Sequence, residues 1–263
     1  MSDPGRSPRA AVSGRLPLVV GVTGHRDLRE QDRDALEAWV RQLLVEIRER
    51  YPHTPVVVLS PLAEGADRLV ARVALALCLQ LVVPLPMPRA LYETDFETAA
   101  SKTEFERLLG RAREWFELPL ADGNTEERIR EPGGPRNRQY AAVGEYIARQ
   151  SHILIALWDG APPDPELEGG TAHIVDFRLE ALGRRGRSAA GPPDPLDRGP
   201  VYHIVAPRVK HPNPNHALTA GWLFPEGFGS DAAAEAAYHA AYAGLERLNA
   251  RSADPPTNRD SPV

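Results

Sequence analysis

The stretch Leu18-Val-Val-Gly-Val-Thr-Gly-His-Arg-Asp27 passes from an unbroken apolar run straight into a polar, glycine-containing turn. An apolar run without alternation is the pattern of a strand covered on both faces, as in a parallel sheet. After the turn, Leu36, Trp39, Val40, Leu43, Leu44 and Ile47 recur at helical spacing and stop near Tyr51-Pro52, where proline disfavours helix in the residue before it. The alternation then repeats. Strand signals lie at residues 55–60, 79–85, 115–118, 152–158 and 201–206, and helical signals at 65–78, 97–112, 138–150, 171–182 and 230–249. Strands alternating with helices predict an α/β, Rossmann-like fold, a parallel sheet covered by helices on both faces. No internal repeat is visible.

Composition narrows the function. The 263 residues carry 31 Lys+Arg against 36 Asp+Glu, a net charge of −5, with 26 prolines and one cysteine. A lone Cys78 excludes an internal disulfide and every cysteine-rich zinc site, and within the apolar VALALCL it reads as a buried small hydrophobe,. The longest purely apolar run, Val73 to Leu79, is far short of a membrane span,. The chain is therefore expected in the cytoplasm, with no membrane partner, and the negative charge predicts no nucleic-acid partner. Prolines concentrate in residues 1–15, 184–200 and 251–263. These read as a flexible amino-terminal tail, a mobile loop and a flexible carboxyl-terminal tail around one domain, residues 16–250.

In an open parallel sheet, ligands bind outside the carboxyl ends of the strands, where strand order reverses. Three loops there combine glycine with groups able to bind or deprotonate a ligand. The first is Thr23-Gly24-His25-Arg26, whose amides and guanidinium suit phosphate or carboxylate oxygens,. As a plain turn it would need only positive φ at Gly24. The second holds Ser60, Glu64, Gly65 and Asp67. Its carboxylates suit ribose hydroxyls, although acidic residues also favour a helix start. The third joins Asp159-Gly160 to Gly169-Gly170-Thr171, a helix start that presents unpaired amides and a hydroxyl to an anion, or an ordinary Thr cap. Residues 161–168 between them read as a rim or lid. His203, His211 and His216 lack metal-site spacing, so no metal is expected. Trp39, Tyr140 and Tyr242 fall at core-facing positions, and the Arg184-Arg185-Gly186-Arg187 cluster reads as a solvated basic loop.

GVTGHRDL (21–28), LSPLAEGADRLVA (59–71), SHILIALWDG (151–160) and GGTAHIVDF (169–177) together resemble the LOG-like, or SLOG, superfamily. The resemblance is to its bacterial branch related to the ligand-sensing domain of melastatin-type TRP channels. It implies a Rossmann-like sensor or regulatory domain for a small nucleotide-derived signal of the NAD or ADP-ribose class, with no obligatory cofactor. It further implies a homodimer or higher oligomer, a separate effector protein, and a role in signalling. Enzymatic LOG relatives carry P-G-G-x-G-T-x-x-E, but Ile174 stands where the catalytic Glu belongs and Leu167-Glu168 replace the first Gly-Gly. An apolar side chain cannot protonate a leaving base. The catalytic residues are accordingly unknown, with Glu64 and Asp67 as the candidates (Asp176 is a further substitute) for an alternative nucleotide N-glycosidase, phosphoribohydrolase or deoxyribosyltransferase. A third reading, single-stranded DNA binding as in the DprA branch, runs against the −5 charge.

Overall fold

A computed structural model describes residues 14–164, 169–185 and 199–252 of the protein. Both expected tails, apart from residues 14–15 and 251–252, lie outside the described residues, as do residues 165–168 of the expected rim and 186–198 of the expected loop. The chain order is β1 (Leu18–Gly24), α1 (Arg33–Arg50), β2 (Val56–Leu59), α2 (Ala66–Ala76), β3 (Gln80–Leu85), α3 (Arg89–Tyr92), α4 (Ala99–Leu109), β4 (Glu114–Glu117), α5 (Gly134–Gln150), β5 (Ile153–Trp158), α6 (Thr171–Arg185), β6 (Val201–Val205), β7 (Ala220–Leu223) and α7 (Asp231–Arg251). The strands form one sheet in the order β4-β3-β2-β1-β5-β6-β7. All pairings are parallel except β6 with β7. The fold is α/β and Rossmann-like, as the alternation predicts. The antiparallel edge strand β7 is the departure, since four residues containing a glycine carry no strand signal of their own.

Side-chain alternation along each strand divides the interior into two layers. Leu18, Val20, Val22, Val58, Val83, Ile155, Leu157 and Ile204 join α1, α2 and α7 in one core. Leu59, Leu154, Ala156 and Val201 face Val143 and Ile147 of α5 and Ile174 and Val175 of α6 in the other. Each fully buried aliphatic side chain contributes about 1.5–3 kcal/mol, so these runs hold the strands at the centre of the molecule. At Gly21, a Cβ would stand 2.1 Å from the Ser151 hydroxyl and 2.7 Å from Ile147, and its absence lets α5 close on β1.

A buried arginine with no hydrophobic signature locks α5 to α6. Arg178 donates to the carbonyls of Ala148, Ser151 and His152 around the end of α5 and to that of Gly199 before β6. Burial pulls its pKa down to about 10. Cys78 corrects the expectation of a buried thiol: it is exposed. It has φ 58° just past α2, with the Leu79 amide bonded back to Ala74. This is the left-handed position that ends a helix, and it turns the side chain outward. Among the described residues, no helix is long and apolar enough to cross a membrane.

Candidate functional site

From β1 the chain runs outward to β4, then returns through α5 to β5 on the other side of β1. Strand order thus reverses between β1 and β5, and their carboxyl ends splay apart there. A cleft of about 540 Å³ opens at that point, lined by Gly24, His25, Arg26, Tyr140, Trp158, Asp159, Gly169, Gly170, Thr171, His173, Arg208 and Lys210, among others.

The first wall is the β1–α1 turn. The His25 amide bonds the Leu157 carbonyl at 3.0 Å, tying the turn to β5. Gly24 does not have the positive φ that a plain turn reading requires. It is glycine because a Cβ would meet Ala66 at 2.4 Å and the Leu157 carbonyl at 2.8 Å. Beyond it, the exposed Arg26 guanidinium lies 4.9 Å from the centroid of the Tyr140 ring and makes no ion pair among the described residues. Tyr140 is held from behind, its hydroxyl donating to Asp95, which also takes an ion pair from Arg136 at 2.7 Å. Tyr140 packs against the core, as its helical period predicts, and it lines the cleft as well.

The opposite wall is the start of α6. Gly169 has φ +86°, and a Cβ there would come within 2.7 Å of the Ala141 amide nitrogen. The turn therefore sits directly on α5. The amides of Thr171, Ala172 and His173 have no intrahelical partner by position, and these residues line the cleft together with Asp164.

The floor is a buried carboxylate. Asp159 accepts from the Ala161 amide at 3.1 Å. It also meets His25 Nε2 at 3.1 Å and His211 Nδ1 at 3.0 Å. Burial would raise its pKa, but the Ala161 amide and the two imidazoles outweigh burial and hold it below the usual carboxylate range. Burial lowers the His25 pKa against the pull of Asp159, and the same Nε2 lies 3.3 Å from the Asp159 amide. The rim loop 206–219 is strapped down by the Arg208–Asp27 ion pair at 2.9 Å, the Val209 amide on the Asp27 carbonyl, and Arg29 on the Pro212 carbonyl. It brings Lys210 to the cleft, a residue with no signal in the sequence reading.

The expected site therefore divides. Gly24, His25, Arg26, Asp159, Gly169, Gly170 and Thr171 line the cleft, while Gly160 lines a neighbouring pocket. Thr23 stays within β1. Ser60 is fully buried, donating to the Asp67 carbonyl and accepting from the Leu62 amide. Glu64 accepts from Ser101. The Ala66 amide bonds the His25 carbonyl at 3.0 Å, and Gly65 packs beneath the same turn. Asp67 is buried behind the site, and burial pushes its pKa up to about 7 against the opposing pull of Arg26, the Ala63 amide and Arg68. Neither Glu64 nor Asp67 lines the cleft. Among the described residues, no group of three or more His, Cys, Asp or Glu side chains is placed to hold a metal.

No family model matches the chain, and no curated protein matches it. Among solved structures it is similar to DNA processing protein A (DprA) from Streptococcus pneumoniae, with 16% identity, TM-score 0.37, and coverage of 65% of this chain and 57% of that one. It is also similar to the Helicobacter pylori DNA processing protein A, described for its single-stranded DNA binding mode, with 15% identity, TM-score 0.35 and 54% of each chain. The chain spans little more than half the length of these structures, and the likeness is one of fold. Both are DNA-processing proteins, and on this comparison two expectations are corrected. One is the NAD or ADP-ribose sensor with its N-glycosidase alternative; the other is the exclusion of nucleic acid as a partner. Whole-chain charge also does not describe the cleft itself, which Arg26 and Lys210 line together with Asp27, Asp159 and Asp164.

Proposed function

We propose that the protein binds single-stranded DNA, holding backbone phosphate in the cleft between the ends of β1 and β5. The observation that carries this reading is the Arg26 guanidinium lying 4.9 Å from the centroid of the Tyr140 ring, in a cleft lined also by the start of α6 and by Lys210. Unpaired helix amides and a guanidinium are the groups that take phosphate oxygens. Strand binding without a duplex groove combines such cations with aromatic faces on which bases stack, and Trp158 lines the same cleft. In this reading the chain is a SLOG-superfamily relative that holds a nucleic-acid strand at the carboxyl ends of its central β-strands. The superfamily resemblance of residues 21–28, 59–71, 151–160 and 169–177 supports that placement.

The net charge of −5 fits a narrow footprint. Binding then involves few phosphates, with a salt slope of about −0.7 per phosphate neutralised. Fluorescence anisotropy with a labelled oligothymidylate across a salt series tests the reading. Affinity should fall with salt by a slope of about −1 to −3, and Arg26→Ala should lose about 10-fold or more at low salt. Binding that is absent at low salt, or untouched by both Arg26→Ala and Lys210→Ala, would sink it.

A further inference from the structure

A second pocket, of about 480 Å³, adjoins the cleft across Asp159 and Ala161, which line both. Its floor is made by β6 and β7, where His203 and Gly221 are register partners. A Cβ built on Gly221 would meet nothing within 4 Å, so the floor there is bare peptide. Beside it the His203 ring lies 4.9 Å from Trp158, tilted by 37°, and Trp158 in turn faces the first cleft. His203 Nε2 is 3.0 Å from the Trp158 carbonyl. Burial keeps the imidazole neutral against that carbonyl's pull, so Nε2 donates and Nδ1 is left as an acceptor. Asn213 and Asn215, exposed on the strapped loop, complete the wall. No partner faces either amide among the described residues. The sequence reading left His203, Asn213, Asn215 and Gly221 without a role.

We infer that this pocket is a nucleobase subsite: the base next to a phosphate held in the first cleft lies flat on the Gly221–His203 floor, its edge toward Asn213 and Asn215. This rests on the proposed strand binding. A planar ring suits a floor that lacks a side chain beside an aromatic face. Two carboxamides, each with donor and acceptor, suit a base edge. The shared Asp159 wall puts phosphate cleft and base floor side by side, as consecutive parts of one strand require.

Two measurements separate this inference from the one beneath it. Free deoxynucleosides, which carry no phosphate, should quench tryptophan fluorescence, because Trp158 and Trp222 border the pocket. Gly221→Leu fills the floor and should remove the quenching, while circular dichroism confirms that it folds. For strands, an oligothymidylate should bind roughly 10-fold more tightly than an abasic oligomer of equal length. Gly221→Leu should bring that ratio near one without altering abasic affinity, and Arg26→Ala should weaken both oligomers alike. Quenching that is absent, or equal in Gly221→Leu, overturns the subsite whatever the strands do. Nucleoside quenching lost in Gly221→Leu, with no strand binding at low salt, keeps the pocket and overturns the strand reading instead.

Discussion

The β2–α2 loop and the β5–α6 loop leave the same edge of the sheet with nearly the same chemistry, glycine among acidic residues at the head of a helix. The first is closed. Glu64 is taken by Ser101, Ser60 by its own loop, and Asp67 is buried. The second brings the start of α6 to the wall of the cleft, and Asp159 at its head is turned down into the floor between His25 and His211. A loop at a strand end becomes a site when its polar groups lack partners within the fold, and a buttress when they have them. Composition is the same in both cases.

The largest effect expected from this difference is at glycine. Gly65 has φ +76°, and a Cβ would lie 2.4 Å from the carbonyls of both His25 and Arg26. Gly160 has a similar φ of +79°, but its nearest neighbour would be 4.0 Å away. Gly65→Ala adds collision to strain and should cost about 4 kcal/mol, whereas Gly160→Ala should cost about 1 kcal/mol of strain alone. Urea denaturation midpoints of the two variants check this, and equal losses would erase the distinction between buttress and open loop.

Next in size is the pH dependence of the two carboxylates, which should have opposite signs. Asp67 has its folded pKa raised from 3.8 to about 7, so in between the folded state holds the proton that the unfolded chain has released. Stability then falls as pH rises through that window, and Asp67→Asn should be more stable than the parent at pH 8 by about 4 kcal/mol, with little gain at pH 4. Asp159, held below the usual range, contributes stability present at neutral pH and lost as acid is added. Thermal melts of Asp67→Asn from pH 4 to 8 test the first half. A variant less stable than the parent at pH 8 would show that Asp67 is ionised and satisfied in the fold.

The sheet was legible because β1 and β5 announce themselves as unbroken apolar runs, and the rule of strand-order reversal then located the cleft before any contact was known. What stayed hidden depends on distant partners. Nothing near Glu64 signals that Ser101 will bond it, and nothing in the helical period of α5 signals that Tyr140 emerges beside Arg26. Lys210 reaches the cleft only because Asp27 and Arg29 hold its loop. β7 takes its strand form from β6 beside it, and Arg178 serves four carbonyls that lie apart in sequence, three around the end of α5 and one before β6. Local sequence reports burial and period; it does not report which polar groups will be spent.

The smallest expected effect tests how lightly the open loop is tied. His211 is half exposed, with a side-chain exposure of 49%, and its contact with Asp159 is 3.0 Å. Solvent screens such a pair, so His211→Ala should cost less than about 1 kcal/mol at pH 7, because His25 and the Ala161 amide still hold the carboxylate. Removing one of the groups that keep Asp159 ionised should nevertheless move its titration upward, and the acid limb of stability with it. Carbon-detected NMR titration of the Asp159 carboxyl reads that shift directly, and urea midpoints at pH 7 read the cost. A loss of 2 kcal/mol or more by this scale would mean that the β5 side is as internally committed as the β2 side. The open cleft would then be a consequence of packing, with no polar groups held in reserve for a ligand.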